Sequence, residues 1–349
     1  MLFSLVSTIF NEATRLPQTI ADLEAQTIKP AEIIITDAGS SDNSWEILTE
    51  WQKKSPVPIV LLKEEGCNVA RGRNLAIKSA KYELIVSTDF GCRFHPEWLK
   101  SLISPFEEDV NLQVVGGAFS VIENEIETYP ARANYILTNG YQTIIDDGFI
   151  PSSRSIAYKK SVWKAIGGYP EWLTLAADDL VFGLQIKAKQ IPITIVNNPY
   201  VYWGRHSKIK QYNKEAFRYG LGDGEAKVNN RNFLILTAET LLRYTFILSL
   251  LLLLVHILAG GPRNYLITGL LLFSLTLGLV GFRPYFRTAK YWNNLRSNKY
   301  NVKSLLIGLF MIETQRFHYI KGYLKGFFCS NNLVRSEAKQ LQNLLNSNL

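Results

Sequence analysis

The chain predicts an open α/β sheet with crossover helices, followed by a membrane-inserted helical hairpin. Three observations carry this. Over residues 1–120, short apolar runs alternate with stretches of helical periodicity, the rhythm of strands joined by crossover helices. Polar residues follow three of those runs, at Asn11-Glu12, Asp37-Ala38-Gly39-Ser40 and Asp89. In open α/β sheets, ligands bind outside the carboxyl ends of the strands. Finally, Arg243, Arg263 and Arg283 stand twenty apart, and neither nineteen-residue gap between them holds a Lys, Arg, Asp or Glu.

Taken in order, residues 2–6 read as a first buried strand. Met1 to Phe10 is apolar but lacks a basic n-region and runs directly into Asn11-Glu12, which argues against a signal peptide. Residues 32–36, 59–62, 84–88 and 114–119 read as further strands, and 16–26, 44–53 and 69–80 as the helices between them. Asp89 closes the fourth strand, where an enzyme handling anionic phosphates would hold a metal ion; two residues on stands Gly91, not a second acid. Each polar strand end alone is a turn or a helix cap, but three together argue for a site.

Residues 120–230 are less regular. Residues 149–155 form a polar loop leading to a short helix at 161–166, and Gly167-Gly168-Tyr169-Pro170-Glu171-Trp172 is a turn with two aromatic rings. Asp178-Asp179 opens a helix over 180–189. Acids are favoured there by the helix dipole, so capping is the plain reading of the pair. Residues 193–196 and 201–203 read as a last strand, ending at Gly204-Arg205-His206.

Nineteen residues at about 1.5 Å each make roughly 28 Å of helix, close to a bilayer core of about 30 Å. With Gly260-Gly261-Pro262 as the turn, the segment reads as a transmembrane hairpin. A buried soluble helix pair is the alternative, and the lack of any polar face over 250–255 speaks against it. The net charge of +8 is concentrated: residues 283–349 carry eleven Lys/Arg against two acids. A basic patch beside a span suits anionic lipid headgroups rather than nucleic acid. By the positive-inside rule it puts the catalytic part and both termini in the cytoplasm of a multi-pass cell-membrane protein. Residues 303–328 read as an amphipathic helix in the membrane surface, with a third span as the alternative; 331–349 read as a loosely ordered polar tail. Cys67, Cys92 and Cys329 show no disulfide framework or zinc spacing. The expected organisation is a catalytic domain over 1–230, a hairpin over 231–283 and a basic tail over 284–349. No G-x-G-x-x-G follows the first strand and there is no P-loop, so a dinucleotide-binding dehydrogenase is poorly supported.

Six ordered motifs over residues 1–230 resemble a family-2 glycosyltransferase of the GT-A fold, a nucleotide-diphospho-sugar transferase. Ser7-Thr8-Ile9-Phe10-Asn11-Glu12 resembles its nucleotide-binding turn. The run from Glu32 to Asp42 resembles its second strand, and Val69-Ala70-Arg71-Gly72-Arg73-Asn74 the helix beside the diphosphate. Thr88-Asp89-Phe90-Gly91 stands at the D-x-D motif, as a D-x-G variant. Ala177-Asp178-Asp179 stands at the acidic pair whose second member is the catalytic base, and Glu215-Ala216-Phe217-Arg218-Tyr219 at the Q-x-x-R-W of processive members.

The resemblance implies an inverting transferase acting from a nucleotide-sugar donor, with UDP the expected nucleotide, on a lipid-linked or glycan acceptor. Asp179 would be the base beside Asp178, and Asp37 would contact the nucleobase, with Thr8 and Glu12 lining the pocket. Arg71, Asn74 and Arg218 would serve the diphosphate. Asp89 would hold a weakly bound or dispensable Mn²⁺ or Mg²⁺, with His206 as a candidate second ligand. Tyr169 and Trp172, beside the acid pair, suit either stacking on an acceptor sugar or ordinary core packing. Cys92 is a poor ligand for a hard cation and is expected to pack. The competing readings are a membrane-anchored binding or scaffold protein on a degenerate transferase fold, a nucleotidyltransferase, and a polymer-extruding synthase. Glu215 and Tyr219, in place of Gln and Trp, weaken the last.

Overall fold

The computed structural model describes residues 1–141, 143, 145–146, 148–258 and 265–347, with the backbone alone at 265–267. The expected Gly260-Gly261-Pro262 turn lies outside the described residues. In chain order the elements are β1 (Phe3–Ile9), α1 (Leu16–Glu24), β2 (Glu32–Asp37), α2 (Ser44–Lys54), β3 (Ile59–Lys63), α3 (Val69–Ser79), β4 (Leu84–Ser87) and β5 (Cys92–Phe94). Next come α4 (Trp98–Glu108), β6 (Val114–Ser120), α5 (Tyr129–Leu137), β7 (Ile156–Lys159), α6 (Lys160–Ala165), α7 (Asp178–Ala188) and β8 (Ile193–Trp203). The rest is helical: α8 (Ile209–Ala226), α9 (Asn230–Leu258), α10 (Tyr265–Gly278), α11 (Arg283–Leu295), α12 (Val302–Cys329) and α13 (Asn332–Asn346). These elements fall into two units. The first is Met1–Ile126, Tyr141–Arg205 and Phe327–Leu349; the second is Glu127–Gly140 and His206–Gly326.

The first unit is built on one sheet of order β3-β2-β1-β4-β7-β6-β8-β5. Its β3-β2-β1-β4 half is parallel, and β7 runs antiparallel to both β4 and β6. Side chains alternate across a strand, and both faces of this sheet are apolar. Leu5, Ile33, Ile35 and Val86 enter one core with Trp98, Leu102 and Phe106 of α4. Val6, Ile34 and Ile85 enter the other with Ala76 and Ile77 of α3, Val162 of α6 and Phe182 of α7. Each such large apolar side chain contributes about 1.5–3 kcal/mol on burial. Burial on both faces is also why these strands read as continuous apolar runs in the sequence.

The register sets the site. Ile9 pairs with Asp37 and Val6 with Ser87, so the polar segments after β1, β2 and β4 emerge side by side at the carboxyl edge of the parallel half. On the far side β5 pairs antiparallel with β8, placing Trp203 opposite Cys92 just beyond the Asp89-Phe90-Gly91 loop.

The C-terminal tail differs from expectation. It forms α13, capped at its start by Asn331, whose side chain accepts from the Val334 amide. Val334, Ala338 and Leu341, at helical spacing, are buried, and α13 packs on α7. Burial of that stripe, within a largely polar segment, orders what the composition suggested was loose.

In the second unit, the glycines of α12 seat it on α8, a protein contact that the surface-helix reading did not include. Gly322 lies against the Phe217 carbonyl and Gly326 against that of Leu221, where a Cβ would have no room. Two stretches, Asn230–Leu258 and Thr268–Leu295, are long and apolar enough to cross a membrane, with 11% and 17% of their most apolar windows buried inside the protein. They meet through small residues: Gly278 lies on Phe246, and Gly281 on the backbone of Glu239 and Arg243. Arg243 is buried, donating to the Gly281 carbonyl at 2.5 Å and pairing with Glu313 at 2.7 Å.

Candidate active site

The loops after β1 and β2 are tied to each other. Asn11, at a φ of 57°, accepts from the Ser41 amide through Oδ1 at 2.8 Å. The Glu12 amide donates to Ser44 Oγ at 2.9 Å, and the Ala13 amide to Asp42 at 3.1 Å. Asp37 is fully buried at the end of β2. Its Oδ1 accepts from the amides of Gly39 and Ser40 at 2.7 and 2.6 Å, while Oδ2 is buried with no hydrogen-bond partner among the described residues. Thr8 gives its hydroxyl to the Thr36 carbonyl at 3.1 Å, and Gly72 of α3 packs directly on it.

The centre of the site is a chain of ion pairs and hydrogen bonds inside the first unit. Arg73 of α3, whose side chain is 4% exposed, pairs through one nitrogen with Asp89 and through another with Asp178. Arg154 lies 3.5 Å from the second oxygen of Asp89 and donates to Ser152 Oγ at 2.9 Å. Ser152 in turn donates to Asp179 at 2.9 Å. Burial opposes ionisation of Asp89, but the Arg73 and Arg154 guanidinium groups outweigh it and hold the carboxyl below its usual range. Burial pushes Asp178 up, to about 6; Arg73 pulls against this, while the charges of Asp179 and Asp89 add to the rise. Asp178 is thus committed to Arg73, whereas Asp179 is held by a neutral hydroxyl. Ala177, just before the pair, takes a left-handed φ of 70°, and strain of this kind collects at functional sites.

Gly91 has a structural reason. Its φ is +96°, and a Cβ there would lie 2.6 Å from a carboxylate oxygen of Glu12. The Glu12 carboxyl fills the space that a side chain at position 91 would need. Burial raises it to about 7, with the charges of Asp89 and Asp42 adding and Arg15 opposing. Restoring the second acid is therefore expected to harm the fold. Gly91→Asp combines left-handed strain of about 1–2 kcal/mol with displacement of Glu12 and a new negative charge beside it. Thermal denaturation should show a fall of several degrees, larger than for Gly91→Ala; an unchanged Tm in Gly91→Asp would contradict this packing.

Several expected site residues are placed elsewhere. Arg71 pairs with Glu64 at 2.9 Å and Glu171 at 3.4 Å instead of joining Asp89. Asn74 spends its amide on the turn after α6, donating to the Tyr169 carbonyl and Glu171 and accepting from Trp163 and the Tyr169 amide. It is a clip for that turn. Tyr169 is core, stacked on Phe182 at 4.0 Å; Trp172 is half-buried. Cys92 packs in the core, where burial pushes its thiol up to about 12. In the second unit His206 stands 3.5 Å from Glu215, and Arg218 lies on the exposed side of α8.

Sequence reasoning passed over Arg73, Arg154 and Ser152, although Arg73 stands in the same motif as Arg71. The donor set does not fit a divalent metal. Hard cations take several oxygen ligands, both Asp89 oxygens are engaged by guanidinium groups, and no cluster of three His, Cys, Asp or Glu side chains able to hold an ion occurs among the described residues.

A parallel half-sheet completed by antiparallel strands, with acids at its carboxyl edge and an acid pair opening a later helix, is the arrangement of the GT-A class. Residues 4–167 match the family model described as "Glycosyl transferase family 2", and this part of the chain is a family 2 glycosyltransferase domain. Similar curated proteins include a hyaluronan synthase of Pasteurella multocida, 32% identical over 114 residues, which are 32% of this chain and 12% of that protein. A chondroitin synthase of Escherichia coli is 31% identical over 114 residues, 32% of this chain and 17% of that one. The chain therefore spans less than a fifth of the length of these relatives. A solved mannosyltransferase from Pyrobaculum calidifontis, in complex with GDP-Man and Mn²⁺, shares the fold with a TM-score of 0.52 at 14% identity, covering 94% of this chain and 88% of its own.

Proposed function

We propose that the protein is an inverting glycosyltransferase that moves a sugar from a nucleoside-diphosphate sugar to a lipid-linked or glycan acceptor at the cytoplasmic face of a membrane. The observation that carries this reading is the continuous link Asp89–Arg73–Asp178 and Asp89–Arg154–Ser152–Asp179 at the carboxyl edge of the sheet. It ties an acid suited to proton transfer to a cationic corner suited to a leaving diphosphate.

Asp179 accepts the proton of the acceptor hydroxyl as that oxygen attacks the anomeric carbon. The bond to the diphosphate oxygen breaks on the opposite side, and one displacement inverts the anomeric centre. Ser152 orients Asp179, while Arg73 holds Asp178 and Asp89 in place so that no second unpaired carboxylate competes for the proton. Asp37 Oδ2, a buried acceptor without a partner among the described residues, suits a ring N–H such as N3–H of uracil or N1–H of guanine, and pairing would remove the penalty of leaving it unsatisfied. UDP and GDP are thus the nucleotides to test. A divalent metal supplies Lewis-acid charge to the diphosphate where one is bound in such enzymes; the residues here do not fit one, and no step is routed through it.

The Asn230–Leu258 and Thr268–Leu295 helices support anchoring, and the basic segment that follows supports a cytoplasmic flank. Full-length protein should pellet with membranes, need detergent for extraction, and release a nucleoside diphosphate from at least one nucleotide sugar in the presence of acceptor lipids or glycans. Recovery in the soluble fraction without detergent would remove the anchor. Binding without release across a broad donor and acceptor panel would favour the scaffold reading.

A further inference from the structure

We infer that the donor diphosphate is gripped by arginine in place of a metal, with Arg154 and Arg205, both stacked on Trp203, as the gripping pair. This rests on the proposed nucleotide-sugar reading and deepens it.

The pairing of β5 with β8 sets Trp203 across from Cys92, immediately after the Asp89-Phe90-Gly91 loop. The Arg154 guanidinium lies 4.2 Å from the centroid of that indole, and the Arg205 guanidinium 3.9 Å from it. Phe119 at 5.4 Å from Arg154 and Tyr141 at 5.1 Å from Arg205 complete an aromatic frame. A guanidinium held against a ring keeps its planar fork in a fixed orientation, and such a fork matches phosphate oxygens bidentately where a lysine would act only as a point charge. Two arginines fixed on one ring are therefore a pre-organised anion grip.

A third cation joins them. Arg15 reaches the Gly91 carbonyl at 3.4 Å, and its guanidinium packs against Gly204, next to Arg205. Arg73, Arg154 and Arg15, from three different segments, contact a loop whose own carboxylate, Asp89, already has a guanidinium on each oxygen, and Arg205 shares the Trp203 ring with Arg154. A divalent ion at Asp89 would have to displace one of these and then sit close to both, where like charges repel strongly in a partly buried setting. A diphosphate entering the same corner meets the opposite field. The single carboxylate of this D-x-G loop is consistent with that division of labour: Asp89 positions the arginines, and the arginines hold the phosphates.

The test is calorimetric titration of UDP and of GDP into the detergent-purified full chain, in EDTA and again with Mn²⁺. At least one nucleotide should bind in EDTA with an affinity within about threefold of that with Mn²⁺. Arg205→Met, at a half-exposed position where the fold should survive (checked by an unchanged Tm), should weaken that binding by about ten- to a hundredfold, the range of a charge-assisted hydrogen bond or two. Lys54→Met, on the exposed end of α2, should leave it unchanged. Binding that requires Mn²⁺, or an Arg205→Met variant with wild-type affinity, would overturn arginine binding and leave the transferase reading standing. Failure of both nucleotides to bind in either condition would overturn the transferase reading, and this inference with it.

Discussion

Asp179→Asn is expected to lower sugar transfer by about a hundred- to ten-thousandfold, the span that a positioned general base supplies, while leaving nucleotide affinity within about twofold. The substitution keeps size and shape. The Asn carbonyl can still accept from Ser152, so the hydrogen bond that orients position 179 survives. What is lost is a group able to take a proton. Asp178 cannot stand in, because its carboxylate is paired with the buried Arg73. Initial rates at saturating donor check this directly. A variant that turns over at the wild-type rate removes Asp179 from the chemistry, and a variant that loses nucleotide binding as well assigns the residue to the pocket instead.

Arg73→Met should produce the largest loss of stability of any single change at the site, about 3–5 kcal/mol, as expected when one partner of a buried ion pair is removed. Arg73 is 4% exposed and faces Asp89 and Asp178, so its loss leaves two carboxylates without their shared counter-charge. The sign with pH follows. In the wild-type protein Asp89 is held below its ordinary value of 3.8, so its pairing contributes stability above that value and loses it only as pH falls through the lower folded value. Asp178, already raised to about 6 by burial in the wild type, loses the Arg73 charge that pulls it down, and Asp89 keeps only Arg154. In the variant both are pushed up further, and protonation relieves them. The deficit in Tm should therefore be greatest near pH 8 and shrink towards pH 5. A deficit that is small at pH 8, or that grows on acidification, would contradict the role of Arg73 as the keystone of the acid cluster.

The parallel half of the sheet was legible in the sequence because both of its faces are buried. Strands such as β1 and β2 then read as unbroken apolar runs, and the acids ending β2 and following β4 stand out against them. The short strands were not legible for a matching reason. Cys92–Phe94 has only three residues and carries Arg93 at its centre, and Ile156–Lys159 has four, too few for either to show a period. Helix α4 contains Pro105, which interrupts the usual helical signature. In the tail, the Val334, Ala338 and Leu341 stripe was present, yet the surrounding polar residues obscured it.

The site shows the same division. Motif order pointed to the right loops but not to the right side chains. Arg71 and Arg73 are two residues apart on one helix, about 200° around its axis at 3.6 residues per turn, so only one of them can face Asp89. Which one does is decided by how α3 lies on the sheet, with Gly72 against Thr8. Arg154 sits in an irregular segment with no period at all and reaches Asp89 only through the tertiary fold. Gly91 looked like a missing ligand in the sequence; in three dimensions it makes room for Glu12.

If the carboxyl edge of this sheet is a nucleotide-sugar site, a structure of the full chain with UDP or GDP will show the nucleotide there. The base should lie beside Asp37, paired with Oδ2, and the diphosphate at the Asp89-Phe90-Gly91 loop, with Asp179 facing the side from which an acceptor would attack. A nucleotide bound away from Asp37 and Asp89, or no bound nucleotide at saturating concentration, would contradict it.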